Sequence, residues 1–413
     1  MNRRQFLQRS LLAASASPFL FPTGRAIGSD LPASAKSAAP FIDPAMAGDW
    51  LARWEKNILT EARTRYCDTE TGEELGWLVS PFLEGFYYGY LATRDTKWIE
   101  RLMDWTDACR KRAVKEPDGF PGWPKGDGGG NRSSEYNSDS LLGEAMFLRP
   151  VVLLAAEILK TPALAATWGK QARSQLAFAA QIFQKWDSRD CWRAVKDGGV
   201  WVVPAFGVDR HSPDKWSAGY EHRATTGFTH PDNKQNLIAS WLIAMHDATQ
   251  QSVYRDRAAA WWRLMRTRMT TRGDGKYFVW NYWEPAGAWD YGPYGEPKHW
   301  IGVHPNGGYY AIDVDGIVNA FEHGLVFNRA DIDRLIATNR EFMWNHKFDG
   351  AAFQRIDGGS ADIRWHKTPG VLWTGLAPYD ETLRKIFITS FNPASWPGLS
   401  TAPWAITRSI SSA

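Results

Sequence analysis

The sequence predicts a mainly α-helical fold, an α/α toroid of helical hairpins whose long loops and short β pieces gather at one end. Two observations predict it. Apolar residues recur at helical spacing in segments that come in pairs, and the links within a pair are a few residues long while those between pairs run to several tens. In a ring of such hairpins the short turns lie at one end, and the long loops at the other build a cleft or tunnel. A tandem helical scaffold for protein binding would keep its connections short and uniform instead.

Residues 1–39 read as a leader. Arg3 and Arg4 precede Phe6 and Leu7, an apolar run LLAASASPFLF follows, and Pro18 and Pro22 break any amphipathic helix there. The expectation is a twin-arginine signal peptide with a disordered leader, delivery to the periplasm or the medium, and a single toroid domain over 40–413. No other run reaches the ~18 consecutive apolar residues a membrane span needs, so no membrane partner is expected once the signal is removed. Losing Arg3, Arg4, Arg9 and Arg25 takes the formal charge from +3 to −1, which argues against nucleic acid as a partner. Cys67, Cys109 and Cys191 permit at most one disulfide.

The first helix is expected over 45–65, where Trp50, Leu51, Trp54, Ile58 and Leu59 share a face. Helices over 81–93 and 98–112 follow, joined by ATRDTK, with Pro81 suited to a first turn. The pattern repeats at 140–160 with 164–186, 237–250 with 254–269, and 312–323 with 330–345, and a last helix is expected over 379–391. Between the pairs lie 113–139, 187–236, 270–311 and 346–378, with strand-like clusters at 199–205 and 276–283. Loops this long signal function.

These loops hold aromatic residues in Gly/Pro-rich surroundings, as in GFPGWPKGDGGG, NYWEPAGAWDYGPYG and KHWIGVHPNGGYY. Among 23 Trp, 14 Tyr and 20 Phe most must fill the core, yet loop aromatics beside Asn, Arg and His suit the apolar faces and hydroxyls of sugar rings. The first loop offers Asn131, Arg132, Glu135, Tyr136 and Asp139. The second, YEHRATTGFTHPDNKQN, offers Arg223, His230, Asp232, Asn233, Gln235 and Asn236 just before an expected helix start, where free N–H groups favour an anion. The third brings Trp289, Asp290, Tyr291, Tyr294, Lys298, His299 and His304, and the fourth His346, Arg355, Asp357, Arg364 and His366.

No Cys pair at metal-ligand spacing, HExxH, GxSxG or Walker loop occurs, so neither a metal nor a cofactor is expected. Two carbohydrate chemistries remain. Hydrolysis needs two carboxylates ~5–9.5 Å apart, for which Glu135, Asp139, Asp232 and Asp290 are candidates. β-Elimination needs a base for the C5 proton of a uronate, an acid for the departing O4 and groups that neutralise the carboxylate. Loops two and three supply His, Tyr, Arg, Asn and Gln for that task. The expectation is therefore a lyase on an acidic polysaccharide, with a hydrolase or a non-catalytic glycan-binding protein as alternatives.

The leader, the ring of hairpins, the FTHPDN segment and the aromatic-Asp-Tyr-Gly loop together resemble exported α/α-toroid polysaccharide lyases acting on glucuronan and alginate, polysaccharide lyase family 38. That resemblance implies a tunnel-like site with a His/Tyr pair, placed on His230 and Tyr291. Arg223 and Asn236 would complete the catalytic set, and Asn131, Arg132, Tyr136, Asn233, Gln235, Trp289, Tyr294, Lys298, His299 and His304 would bind substrate.

Overall fold

The structure, a computed structural model, describes residues 39–125, 136–204, 207–209, 211–212, 214–216, 226–359 and 370–410; of Tyr136, Pro204 and Thr226 it describes the backbone alone. The first helix, α1 (Pro44–Glu61), starts where the Asp43 carboxylate accepts the Ala45 N–H at 2.8 Å, and Pro44 fills a first-turn position that needs no donor. The next two are α2 (Ser80–Thr93) and α3 (Lys97–Arg112), then α4 (Leu141–Lys160) and α5 (Pro162–Ser188). Further on come α6 (Asp232–Thr249), α7 (Ser252–Arg268), α8 (Gly308–Glu322) and α9 (Arg329–Ala337). A 3-10 segment (Thr374–Tyr379), α10 (Glu381–Ser390) and α11 (Gly398–Thr407) end the domain.

The packing is a two-layered ring. Helix α2 touches α4, α4 touches α6, α6 touches α8, and α8 touches the 3-10 segment, while α11 packs back on α2 and closes the circle. Outside them, α3 lies on α2, α5 on α4, α7 on α6, α9 on α8, α10 on the 3-10 segment and α1 on α11. This is the α/α toroid the sequence predicts. Each inner element except α11, whose outer partner α1 lies at the start of the domain, turns into its outer partner within a few residues, and Arg94 and Gln250 take left-handed backbone at two of those turns. Every long connection therefore runs from an outer helix to the start of an inner one, so the inner N-termini and long loops share one end, the mouth.

Two glycines let the inner helices close up. A Cβ on Gly85 would lie 2.4 Å from the Leu399 carbonyl oxygen, at the α2–α11 seam, and one on Gly316 would lie 2.7 Å from the Asn236 side chain, at the α6–α8 seam. The layers between are dense with tryptophan: Trp54, Trp98, Trp105, Trp241, Trp261, Trp262 and Trp373 are all fully buried, and Trp54 meets Trp98 with ring centroids 4.8 Å apart. Burial of each large side chain contributes roughly 2–3 kcal/mol.

Short strands stiffen the long loops. β1 (Val114–Lys115) pairs with β2 (Pro121–Gly122), and β3 (Tyr136–Asn137) pairs with β6 (Val208–Asp209). β4 (Trp192–Val195), β5 (Gly198–Pro204) and β7 (Thr226–Thr229) form an antiparallel sheet that leads into α6, while β8 (Thr270–Arg272) and β9 (Tyr277–Val279) make a hairpin.

Boundaries differ from the sequence reading in several places; α8, for example, begins at Gly308, not 312. Helix α6 begins at Asp232, not 237, because Pro231 presets the helical entry and a polar first turn, Asp232 to Asn236, conceals the apolar period. After α9 the chain widens into a π-turn at Thr338–Met343. Helix α11 was not among the expected elements; Pro397 stands just outside it and Pro403 within it. All three cysteines are buried free thiols. Among the described residues no helix is long and apolar enough to cross a membrane.

Candidate active site at the ring mouth

The mouth is built where α2, α6 and α8 begin. On the α6 side, Asp232 is the first residue of the helix; its Oδ1 accepts from Arg268 Nη1 at 2.9 Å and its Oδ2 is buried without a hydrogen-bond partner. Burial, opposed by Arg268 and reinforced by Glu284, pushes this carboxyl up to about 7, so it holds a proton under mild conditions. Two residues on, Lys234 reaches across to Glu73, just ahead of α2, with Nζ 2.9 Å from both carboxylate oxygens. Glu73 also accepts the Trp77 indole N–H at 2.9 Å, and its side chain keeps 18% exposure.

Between them stands Tyr282, whose backbone carbonyl accepts the Asp232 N–H at 3.1 Å. Burial raises its phenol, and the charges of Tyr309, Asp313, Glu73 and Asp232 add to that shift. The Tyr282 ring stacks on Tyr309 at 5.2 Å and meets His304 at 4.6 Å and His299 at 5.8 Å. Behind the wall, Asp313 accepts from Asn236 Nδ2 at 2.8 Å and Trp280 Nε1 at 2.9 Å; burial and then Asp232 drive its carboxyl far above the usual range.

The residues expected from sequence fall in several places. Arg223, Asn131, Arg132 and Glu135 lie outside the described residues, as do Arg364, His366 and the Tyr136 side chain. His230 is 1% exposed with neither ring nitrogen hydrogen-bonded, and burial, helped by Lys234, lowers its pKa to about 3. Asn233 is buried beside it with Oδ1 unpartnered. Gln235 braces the wall, accepting the Trp201 N–H at 2.9 Å and donating to the Trp201 and His230 carbonyls. Asn236 does the same deeper in, accepting from Trp261 and Trp262 at 3.1 and 2.9 Å.

In the third loop, Trp289 donates to Thr229 Oγ1 at 2.9 Å and is only partly exposed, whereas Tyr291 and Tyr294 are 41% and 94% exposed. Lys298 holds the Gly227 carbonyl at 3.0 Å. His299 packs against Phe228 and Trp283, and His304 accepts the Asn306 N–H. The expectation that loop tryptophans face sugar holds unevenly: Trp123 and Trp283 are core residues, and Trp300, 51% exposed, is the outward one.

Of the four carboxylates named for hydrolysis, two are structural. Asp290 takes hydrogen bonds from Thr229 N–H and Oγ1, Ala286 N–H and Gly287 N–H, which ties β7 to the third loop and leaves it 0% exposed. Asp139 lies in a buried ion network, 2.8 Å from Lys185 and 3.2 Å from Arg189; against the cost of burial these cations hold it well below the usual range. Asp232 alone of the described three keeps an oxygen free. Sequence reasoning missed Glu73, Trp77, Tyr282, Arg268 and Asp313. Glu73, in TGEELGW, carried no loop signal beyond its Gly neighbours, and its partner Lys234 is 161 positions away.

No protein-family model matches the chain, and no curated protein matches it. A solved structure that resembles it is an inactive variant of the α-1,6-mannanase GH76A of Salegentibacter sp. HEL1_6 in complex with α-1,6-mannotriose, with 10% identity over 87% of this chain and 85% of that one and a TM-score of 0.41. The expectation of a carbon–oxygen lyase on alginate or glucuronan is corrected here. The solved structure is titled a mannanase, a glycoside hydrolase, and the polysaccharide lyase family 38 resemblance finds no support in it. His230, given the role of base, is sealed in the wall with its basicity depressed by burial, and Tyr291, given the role of acid, is 41% exposed on the third loop.

Proposed function

We propose that the chain is a glycoside hydrolase of the α/α-toroid type that takes a polysaccharide into the ring mouth. One observation supports it most directly: the start of α6 carries both a buried carboxyl whose pKa is raised, Asp232, and Lys234, which holds a carboxylate that reaches solvent, Glu73, and both carboxyls act on the Tyr282 phenol. Two carboxyl groups with different protonation are the requirement for glycosidic cleavage. Asp232 is fully buried, so its Oδ2 proton reaches the departing glycosidic oxygen only when substrate entry displaces the wall that covers it. Glu73 either takes a proton from the attacking water or bonds to the anomeric carbon first; in both cases one C–O bond breaks and one water is consumed. Lys234 and Trp77 fix the orientation of Glu73, and Arg268 that of Asp232.

The leader reading adds that the enzyme is exported by the twin-arginine route and acts in the periplasm or outside the cell; fractionation of cells carrying the Arg3→Lys/Arg4→Lys variant tests this. The activity itself is tested by incubating the protein with α-mannan, xylan, β-glucan and polyuronates and reading reducing ends and ultraviolet absorbance in parallel. New reducing ends without absorbance, abolished in Glu73→Gln and Asp232→Asn, are the expected result. Unsaturated products, or undiminished cleavage by both variants, would overturn the proposal.

A further inference from the structure

Deeper in the ring than the mouth lies a second group of titratable side chains to which no role has been given. Glu84 and Tyr88 are four residues apart on α2, and therefore on one face. Arg149 on α4 donates from Nη1 to Glu84 Oε1 at 2.6 Å and is hydrogen-bonded to the Tyr88 hydroxyl. Asp315 on α8 accepts the Gly375 N–H and lies in the field of both Arg149 and Glu84. A Cβ on Gly375 would sit 2.4 Å from Asp315 Oδ1, so the glycine makes room for this carboxyl.

Their surroundings show what they face. Arg149 and Glu84 keep 24% and 26% side-chain exposure and Asp315 is exposed, yet burial still pushes Asp315 up to about 7 and raises the Tyr88 phenol. Partly exposed polar groups on three inner helices face the axis of the ring. Half-buried Pro81, Leu153 and Ile312 flank them at helical spacing on the same three helices and supply apolar wall. Toward the inner C-termini, Glu322 accepts from the Tyr379 hydroxyl at 2.7 Å and pairs with Arg408, cross-linking α8 to the last turn of the chain.

We propose that Glu84, Tyr88, Arg149 and Asp315 form a saccharide subsite on the ring axis that binds the hydroxyls of one neutral sugar residue at the end of the glycan. A guanidinium, two carboxyls and a phenol with apolar flanks suit vicinal hydroxyls above a ring face. Among the described residues, the two cations that act on this set are already paired, Arg149 with Glu84 and Arg408 with Glu322, which favours a neutral sugar over a uronate. This inference rests on the hydrolase reading of the mouth.

The test uses the full chain in a Glu73→Gln background, so that ligand survives, and titrates mannotriose, cellotriose, xylotriose and trigalacturonate by calorimetry. A neutral trisaccharide is expected to bind, and Tyr88→Phe and Asp315→Asn are each expected to weaken it by about 10-fold, the effect of losing one hydrogen bond to a charged or strongly polar partner. Affinity unchanged in both variants, or preference for trigalacturonate, overturns the subsite. If Asp315→Asn fails to fold, Tyr88→Phe decides. Glycan cleavage by the wild type with unchanged axial variants sinks the subsite and leaves the hydrolase; axial variants that lose binding in a protein that cleaves nothing do the reverse.

Discussion

Lys234 Nζ stands 2.9 Å from each carboxylate oxygen of Glu73, a two-pronged contact that spans the ring mouth from the start of α6 to the approach to α2. It fixes the carboxylate that the proposed hydrolysis needs as base or nucleophile. Glu73→Gln keeps the shape and one hydrogen-bond acceptor but removes the charge. Turnover should fall by ~10²–10⁴-fold, with the thermal midpoint shifted by no more than a few degrees because the side chain is partly exposed. A large loss of stability with turnover retained would make Glu73 a structural residue.

Asp232 should reveal itself through pH in two ways. As an acid that must hold its proton, it makes activity decline as pH rises through about 7. As a buried carboxyl whose folded pKa lies above its unfolded value, it makes the native state bind the extra proton between roughly pH 4 and 7, so its contribution to stability is present at the acid end and lost as pH rises. One such group contributes a slope of about 1.4 kcal/mol per pH unit in that window. The wild-type pH–rate profile reads the first effect; Asp232→Asn, which should lack turnover, should flatten the stability profile by that amount, and urea titrations at pH 4.5, 6 and 7.5 read the second.

Asn236→Ala tests the wall behind the site. Its amide accepts from two indoles and donates to Asp313, so truncation leaves two buried indole N–H groups without a partner, removes one of the two hydrogen bonds to Asp313 and opens a cavity. The expected destabilisation is roughly 3 kcal/mol or more, measured by denaturant midpoint. A change below about 1 kcal/mol, the size of a single ordinary hydrogen bond, would mean the network relaxes around the gap.

Lys185→Met addresses the loop that leads into α4. Lys185 is 2.5 Å from Glu144 and 2.8 Å from Asp139 and donates to the Pro121 carbonyl, all fully buried, with Arg189 binding Glu116 and Asp118 alongside. Removing one cation strands carboxylates in a dry interior, at about 3–5 kcal/mol. The loss should be largest at high pH and smaller in acid, where the carboxyls can protonate; circular-dichroism melts across pH check the sign.

The pairing of helices, the contrast between short and long links and the gathering of loops at one end were legible because helical periodicity and breaker residues are local signals. Helix α11 was not, since Pro397 and Pro403 speak against a helix locally and only the contact with α2 argues for one. The site was legible in part. The segment from His230 to Asn236 does carry Asp232 and Lys234, but its other polar residues turned out to brace β5 and α7, and a run of His, Asn and Gln looks the same whether it faces a ligand or a tryptophan indole. Glu73 was invisible because its meaning depends on Lys234, and a pair that meets only through tertiary structure leaves no spacing to read.

The ends of the folded domain are laced together: Pro40 bridges Ser409, the Phe41 N–H donates to the Arg408 carbonyl and the Ile410 N–H to that of Ala39. The toroid is thus a cycle that happens to be cut between 39 and 410. The seam from Gly85 to Leu399 joins residues from opposite ends of the chain, so the last turn of the ring waits for nearly the whole polypeptide, and slow, late locking of this seam is the expected kinetic signature. A permutant that links 410 to 39 through a few glycines and opens instead at the exposed Gly324 turn should fold to the same ring, and should do so faster, because it converts the most distant contact in the molecule into a neighbouring one.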